Sequence, residues 1–220
     1  MRDSKVTATI AVAVTLGAFA SIYVSVSGGL FGPAVDRASH EAAGVMMAKE
    51  ALALLQPGGE ITVITRDTRA FKNPATDIQM AGFRKTLRSG HAKIHAVLAL
   101  QVDPLRPVRV PAGDFCQIVR DTPAGSVVVS FMGPPLLSEA QWLQLGNIKP
   151  AIIAFCPGRM AEEVDLRPFL RAGVLKAAIV ERSGLAGAGM TPGTSSGRSQ
   201  RTFVTVTAAN LDQLPPSPAQ

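Results

Sequence analysis

The residues able to do chemistry are few and scattered. His40, His91 and His95 are the three histidines, and Cys116 and Cys156 the two cysteines. His91 and His95 stand four apart, the spacing of two ligands on one face of a helix. Gly90 before them and the apolar run after Lys93 put them instead in a turn and a strand, where the two imidazoles do not converge. The ligand count falls short of a metal site. His40 falls on the exposed side of a predicted helix and reads as a solvated residue. Glu162, Glu163 and Asp165 crowd the first turn of another predicted helix, where acidic side chains favour the positive end of the helix dipole. That reading outweighs an acid/base pair. The Gly-x-Ser-x-Gly spacing at Gly193-Thr-Ser195-Ser-Gly197 falls in a Gly/Ser-rich stretch and not between a strand and a helix, so it makes no nucleophile elbow. Gly184, Gly187 and Gly189 lack the Gly-Lys-Ser/Thr ending of a phosphate loop, and no G-x-G-x-x-G follows the first strand. Cys156, just before Pro157-Gly158, stands at the carboxyl end of a strand, where open sheets place their sites. It has no histidine beside it to act as a base. The sequence therefore predicts no enzyme, no catalytic residue, no metal site and no cofactor.

The elements that would position these residues follow from hydrophobic spacing. Helices are expected over 35–56, 75–89, 111–122, 138–145 and 159–172. Pro57-Gly58-Gly59 closes the first, Gly90 the second, and Ser138-x-x-Gln141 opens the fourth as a capping box. Strands are expected over 60–65, 93–101, 126–132, 150–156 and 174–181, and 201–207 could add an edge strand. The strands are continuous apolar runs that alternate with helices, the pattern of a parallel sheet covered on both faces. The predicted fold is a doubly wound, three-layer parallel sheet of about five strands. Cys116 and Cys156 sit in apolar stretches, Asp-Phe-Cys-Gln-Ile and Ile-Ala-Phe-Cys-Pro, and are expected as buried free thiols rather than a bridge. Residues 183–200 are rich in Gly and Ser, and read as a linker or loop.

Composition and patterning speak to location. Val6 to Ser27 is a run of 22 residues without a charge, long enough to cross a bilayer as one transmembrane helix. Arg2 and Lys5 precede it, which orients the remainder outward. Ala18-Phe19-Ala20 resembles a signal-peptidase site. The apolar run continues past it to Val26, which favours a retained anchor over a cleaved signal. The net charge of +6 is spread along the chain without aromatic interleaving or a basic block, which argues against nucleic acid as a partner. It suits proximity to anionic lipid. The expected division is an anchor over 1–28, an α/β lobe over 33–182, and a loop, possible edge strand and tail over 183–220. The expected location is the bacterial inner membrane, crossed once, with the C-terminal domain in the periplasm.

The order of segments resembles a known family. His40-Glu-Ala-Ala-Gly44, Gly58-Gly-Glu-Ile-Thr-Val-Ile-Thr65, Asn73 and Gly82-Phe83 are similar to the second lobe of type I periplasmic sugar-binding proteins. So are Ala151-Ile-Ile-Ala-Phe-Cys-Pro-Gly158 and Arg171-Ala-Gly-Val-Leu-Lys-Ala-Ala-Ile-Val-Glu181. The resemblance implies a ligand face built from Asp67, Arg69, Asn73, Gln79, Asp103, Cys156 and Glu181. It also implies losses. Gln79 stands where the family has a ligand-gripping Arg, Cys156 where it has an acidic residue, and Glu181 where it has Gln. With those groups replaced, the sequence favours a non-catalytic accessory or scaffold subunit, membrane-anchored and docked on other subunits of a membrane protein complex. On that reading a small-molecule ligand is unlikely. The alternative is a solute-binding or sensing lobe for a sugar-like small molecule.

Overall fold

A computed structural model describes residues 35–69, 72–101, 110–135, 137–138, 140–141, 145, 150–182 and 202–216. The anchor segment Val6–Ser27, Asp103 and the Gly/Ser-rich stretch 183–200 lie outside the described residues. Among those described, no helix is long and apolar enough to cross a membrane. Asp36–Gln220 form one compact unit.

Helix α1 spans Arg37–Leu54, opened by Asp36, whose carboxylate accepts the backbone N–H of Ser39. The Ser39 hydroxyl donates back to the same carboxylate, so the first turn is closed from both sides. Strand β1 is Ile61–Arg66. Helix α2, Pro74–Ser89, is capped by Asn73, and Pro74 fills a position where a missing N–H is no loss. At its end Ala92 N–H donates to Leu87 O at 3.0 Å and His91 N–H to Arg88 O at 3.2 Å, a Schellman closure. His91 takes the left-handed position at φ 56°, although Gly90 is its neighbour. The reason is packing: a Cβ on Gly90 would meet Leu52 Cδ1 at 2.6 Å. Strand β2 is Ile94–Leu100, helix α3 Ala112–Asp121, and strands β3 and β4 are Val127–Ser130 and Ala151–Cys156. Two short helices follow, α4 Met160–Glu163 and α5 Arg167–Arg171, then β5 Ala177–Glu181 and β6 Phe203–Val206.

The six strands lie in the order β2-β1-β3-β4-β5-β6. The first five are parallel, and β6 is antiparallel to β5. Side chains alternate between two cores, as strand geometry requires. Ile61, Val63, Val127, Val129, Ile153, Phe155, Ala177 and Ile179 pack under α1 and α2 with Met47, Phe83 and Leu87. Ile64, Val128, Ile152, Ala154, Cys156, Ala178 and Val180 pack on the other face with Phe115, Val119, Phe169 and Leu170. Burial of a side chain such as Phe83 contributes about 2–3 kcal/mol. An aromatic row crosses the first core: Phe83 meets Phe131 edge-on at 5.4 Å, Phe131 lies 6.4 Å from Phe155, and Phe155 lies 5.5 Å from Phe203.

Three features differ from the sequence expectation. The possible edge strand over 201–207 forms as β6, so the sheet has six strands beside the expectation of about five, and the last runs antiparallel. The expected helix over 159–172 is two helices, because Pro168 cannot donate to the carbonyl of Val164 and its ring clashes there. Asp165 then starts the second piece by accepting the N–H of Arg167 at 3.1 Å. Strand β2 alternates half-buried and exposed residues, since it is an edge strand covered fully on neither face. Both cysteines are buried and free, and the Ser138–Gln141 capping box forms, with Ser138 N–H donating to Gln141 Oε1 at 2.8 Å.

Candidate functional site

The strand order reverses between β1 and β3. The chain leaves β1 outward to β2, returns to β3, and then proceeds the other way. The carboxyl ends of these two strands are therefore the switch point of the sheet, the place where open α/β sheets hold their ligand crevice. The lip on the β1 side carries Asp67 and Arg69 after the strand and Asn73 before α2. The lip on the β3 side is the turn Phe131–Gly133.

Asp67 and Arg69 form a clasp on the first lip. Arg69 donates its backbone N–H to Asp67 Oδ1 at 2.9 Å, Nε to both oxygens at 3.0 and 3.1 Å, and Nη2 to Oδ2 at 2.7 Å. The Asp67 side chain is only 7% exposed, and that of Arg69 is 84% exposed. The carboxylate therefore backs a guanidinium that faces solvent. The hydrogen bonds from the Arg69 side chain, with those from its backbone N–H and its charge, hold the Asp67 carboxyl down to about 2 from the usual 3.8. The same side-chain bond raises the Arg69 value. Asp67 N–H donates to Leu100 O at 2.8 Å, which ties the loop to the end of β2. Asn73 ends the loop, and its Oδ1 accepts Thr76 N–H at 3.4 Å as the cap of α2.

The second lip is rigid for a different reason. Ser130 Oγ donates to Gly133 O at 2.7 Å and accepts Met132 N–H at 3.3 Å. Gly133 has φ 86°, and a Cβ there would lie 2.5 Å from Met160 Sδ. Only glycine allows this turn to pass beneath α4.

The structure separates the remaining expected residues from this crevice. Gln79 is 6% exposed, and its Nε2 lies 3.1 Å from His40 Nδ1. It faces α1, so it does not replace a ligand-gripping Arg at the mouth. His40 is accordingly half-buried rather than solvated. Cys156 is fully buried in the core under α4 and α5, and burial pushes its thiol up to about 12. It offers no surface to a ligand and no thiolate at neutral pH. Glu181 is 8% exposed and accepts Gly158 N–H at 2.8 Å, which fastens the loop after β4 to the end of β5. Three strand spacings separate Glu181 from Asp67, roughly 14 Å. Asp67 and Arg69 thus form one cluster, Asn73 caps the start of α2, and Glu181 fastens a different loop.

Sequence reasoning missed two features. The Asp36–Ser39 cap was visible as an acidic N-cap before a helical run. Thr65, the penultimate residue of β1, carries a buried hydroxyl without a hydrogen-bond partner among the described residues. No pattern in the sequence distinguishes it from Thr62. Neither the Glu162–Glu163–Asp165 group nor the two histidines form a metal cluster, and among the described residues no such cluster exists.

No protein-family model and no curated protein sequence matches the chain. Solved structures do. AraP, an arabinose binding protein from Geobacillus stearothermophilus, superposes with a TM-score of 0.54 at 17% identity, over 80% of this chain and 63% of that one. An ABC transporter solute binding protein from Burkholderia graminis, in complex with D-arabinose, gives 0.50 at 18% identity, over 78% and 61%. The chain thus spans less than two thirds of the length of these structures. At such identities the likeness establishes the fold, that of the sugar-binding proteins. Both are binding proteins by their descriptions. The expectation that a small-molecule ligand is unlikely is overturned, because a protein of this fold carries D-arabinose. Two of the three replaced positions, Gln79 and Cys156, are buried away from the crevice, and the Asp67–Arg69 clasp remains.

Proposed function

We propose that the chain is a solute-binding lobe that takes a sugar-like small molecule at the carboxyl ends of β1 and β3. The observation that carries this reading is the Asp67–Arg69 clasp at the switch point. A sugar offers hydroxyls that both donate and accept, and a site for it needs donors fixed in advance. With Nε and one Nη2 hydrogen held by Asp67, Arg69 keeps its other N–H groups for ligand oxygens. Each charge-assisted bond contributes about 1.5–3 kcal/mol. Asn73 uses Oδ1 as the helix cap, which leaves its Nδ2 hydrogens for a second hydroxyl. The turn at Gly133 forms the opposite wall. In this reading the lobe works in the periplasm, held by the apolar segment Val6–Ser27, and corresponds to the second lobe of the two-lobed sugar binders.

One wall covers one face of a ligand, so the affinity is modest, on the order of a millimolar dissociation constant, or about −4 kcal/mol. Asn73→Asp separates the two roles of that side chain. Aspartate caps a helix as well as asparagine does but donates nothing when ionised. The expected result is unchanged thermal stability with pentose affinity lowered about fivefold, or about 1 kcal/mol. Unchanged affinity would remove Asn73 from the site.

A further inference from the structure

We propose that the chain self-associates through antiparallel pairing of β2 with β2 of a second copy, so that two sheets join into one across a twofold axis. β2 ends the strand order, and among the described residues nothing pairs with its outer edge. Soluble proteins blunt such edges with charged side chains, proline or bulges. Here a register shift sets His95 apart, since Ile61 pairs with Ile94 and Thr62 with Ala96. Beyond it Ala96-Val97-Leu98-Ala99-Leu100 runs regularly, with no charge and no proline. Val97 is 40% exposed, one of two large apolar side chains so exposed among the described residues. On the other face of β2, Ala96, Leu98 and Leu100 floor a shallow groove of about 410 Å³, which Asp114, Gln117, Ile118 and Asp121 of α3 wall on one side.

The choice of a second copy comes from the sequence of the edge itself. Laid antiparallel on its own image about Leu98, the strand sets Ala96 opposite Leu100 and Val97 opposite Ala99 of the mate. Each small side chain then meets a large one, and the two Leu98 side chains meet at the axis. Such cross-strand pairs are the unit of sheet stabilisation, and a twofold contact must be self-complementary in this way. The pairing covers Val97 on one face and extends the apolar floor of the groove, Ala96, Leu98 and Leu100, on the other. It is independent of ligand binding, because the switch-point crevice lies at the strand ends and not on this edge.

The test uses the full chain in micelles of a detergent without a sugar head group. Leu98→Cys places two thiols across the axis, where paired Cα atoms stand about 4.5–5.5 Å apart, within disulfide reach. The native cysteines are buried and add no background. Mild oxidation is expected to give a covalent dimer with Leu98→Cys but not with Lys49→Cys on the exposed side of α1. Val97→Lys in the same background is expected to abolish it, and in the otherwise native chain to weaken the sedimenting dimer at least about tenfold. Mixed Val97→Cys and Ala99→Cys chains report the same register if Leu98→Cys does not fold. Equal cross-linking at positions 98 and 49, none in the mixed pair, or a dimer indifferent to Val97→Lys would overturn the proposal.

Discussion

On the proposed function, Arg69 is the side chain on which binding turns. Arg69→Ala removes the exposed donors and releases the Asp67 carboxylate from its partner. The expected loss of sugar affinity is about tenfold or more, read by calorimetry, with folding retained because the backbone N–H at position 69 still donates to Asp67 Oδ1. The titration of Asp67 gives an independent check. Its carboxyl value in the folded chain, about 2, lies below that of the unfolded chain. The clasp is therefore complete above about pH 4 and is lost as the pH falls through about 2. A carbon-detected NMR titration in which Asp67 protonates near pH 4 would show that the clasp is not formed in solution. Thr65 makes the opposite prediction. Its hydroxyl is buried without a partner, so Thr65→Val is expected to raise stability by about 1 kcal/mol in chemical denaturation. Asp67, Arg69 and Asn73 were legible as polar residues after a strand. The burial of Gln79 was not, because its partner His40 lies 39 residues away and helical spacing alone does not show which neighbour covers a face.

At the scale of elements, the crossing of α1 and α2 sets the wall behind the crevice. A Cβ on Gly44 would stand 2.1 Å from the carbonyl oxygen of Gln79, and one on Gly82 would stand 2.8 Å from that of Glu41. Neither backbone can yield without parting the helices. Gly44→Ala is expected to cost about 2 kcal/mol or more, and the double change Gly44→Ala/Gly82→Ala less than the sum, since the sites share one contact. Denaturant midpoints for the three variants check this, and an additive pair would place the contacts apart. The helices themselves were readable from caps and stops: Asn73-Pro74 before α2, Gly90 after it, and Pro111 before α3. The break between α4 and α5 was also written in the sequence, as Pro168, and was obscured by the continuous apolar spacing around it. The Gly44–Gly82 approach was not readable, because a glycine inside a helix carries no sign of what packs against it.

For the whole molecule, continuous apolar runs such as Val127–Ser130 and Ala151–Cys156 identified buried parallel strands, and their alternation with helices identified the doubly wound class. What the runs do not encode is order. The position of β2 at the edge, with its exposed Val97 face, and the reversal at β6 arise from pairings between distant segments. The switch point between β1 and β3, and with it the site, became visible only once the order was known. The account rests on that crevice being a sugar site, and one titration addresses it directly. With the isotope-labelled full chain in lipid nanodiscs, amide NMR spectra recorded against D-arabinose and related pentoses are expected to show saturable shifts confined to Asp67–Asn73 and Phe131–Gly133, with a dissociation constant of about 1 mM or tighter. These shifts are lost in Arg69→Ala. Saturable shifts elsewhere on the chain, or none up to about ten times that concentration, would contradict the account.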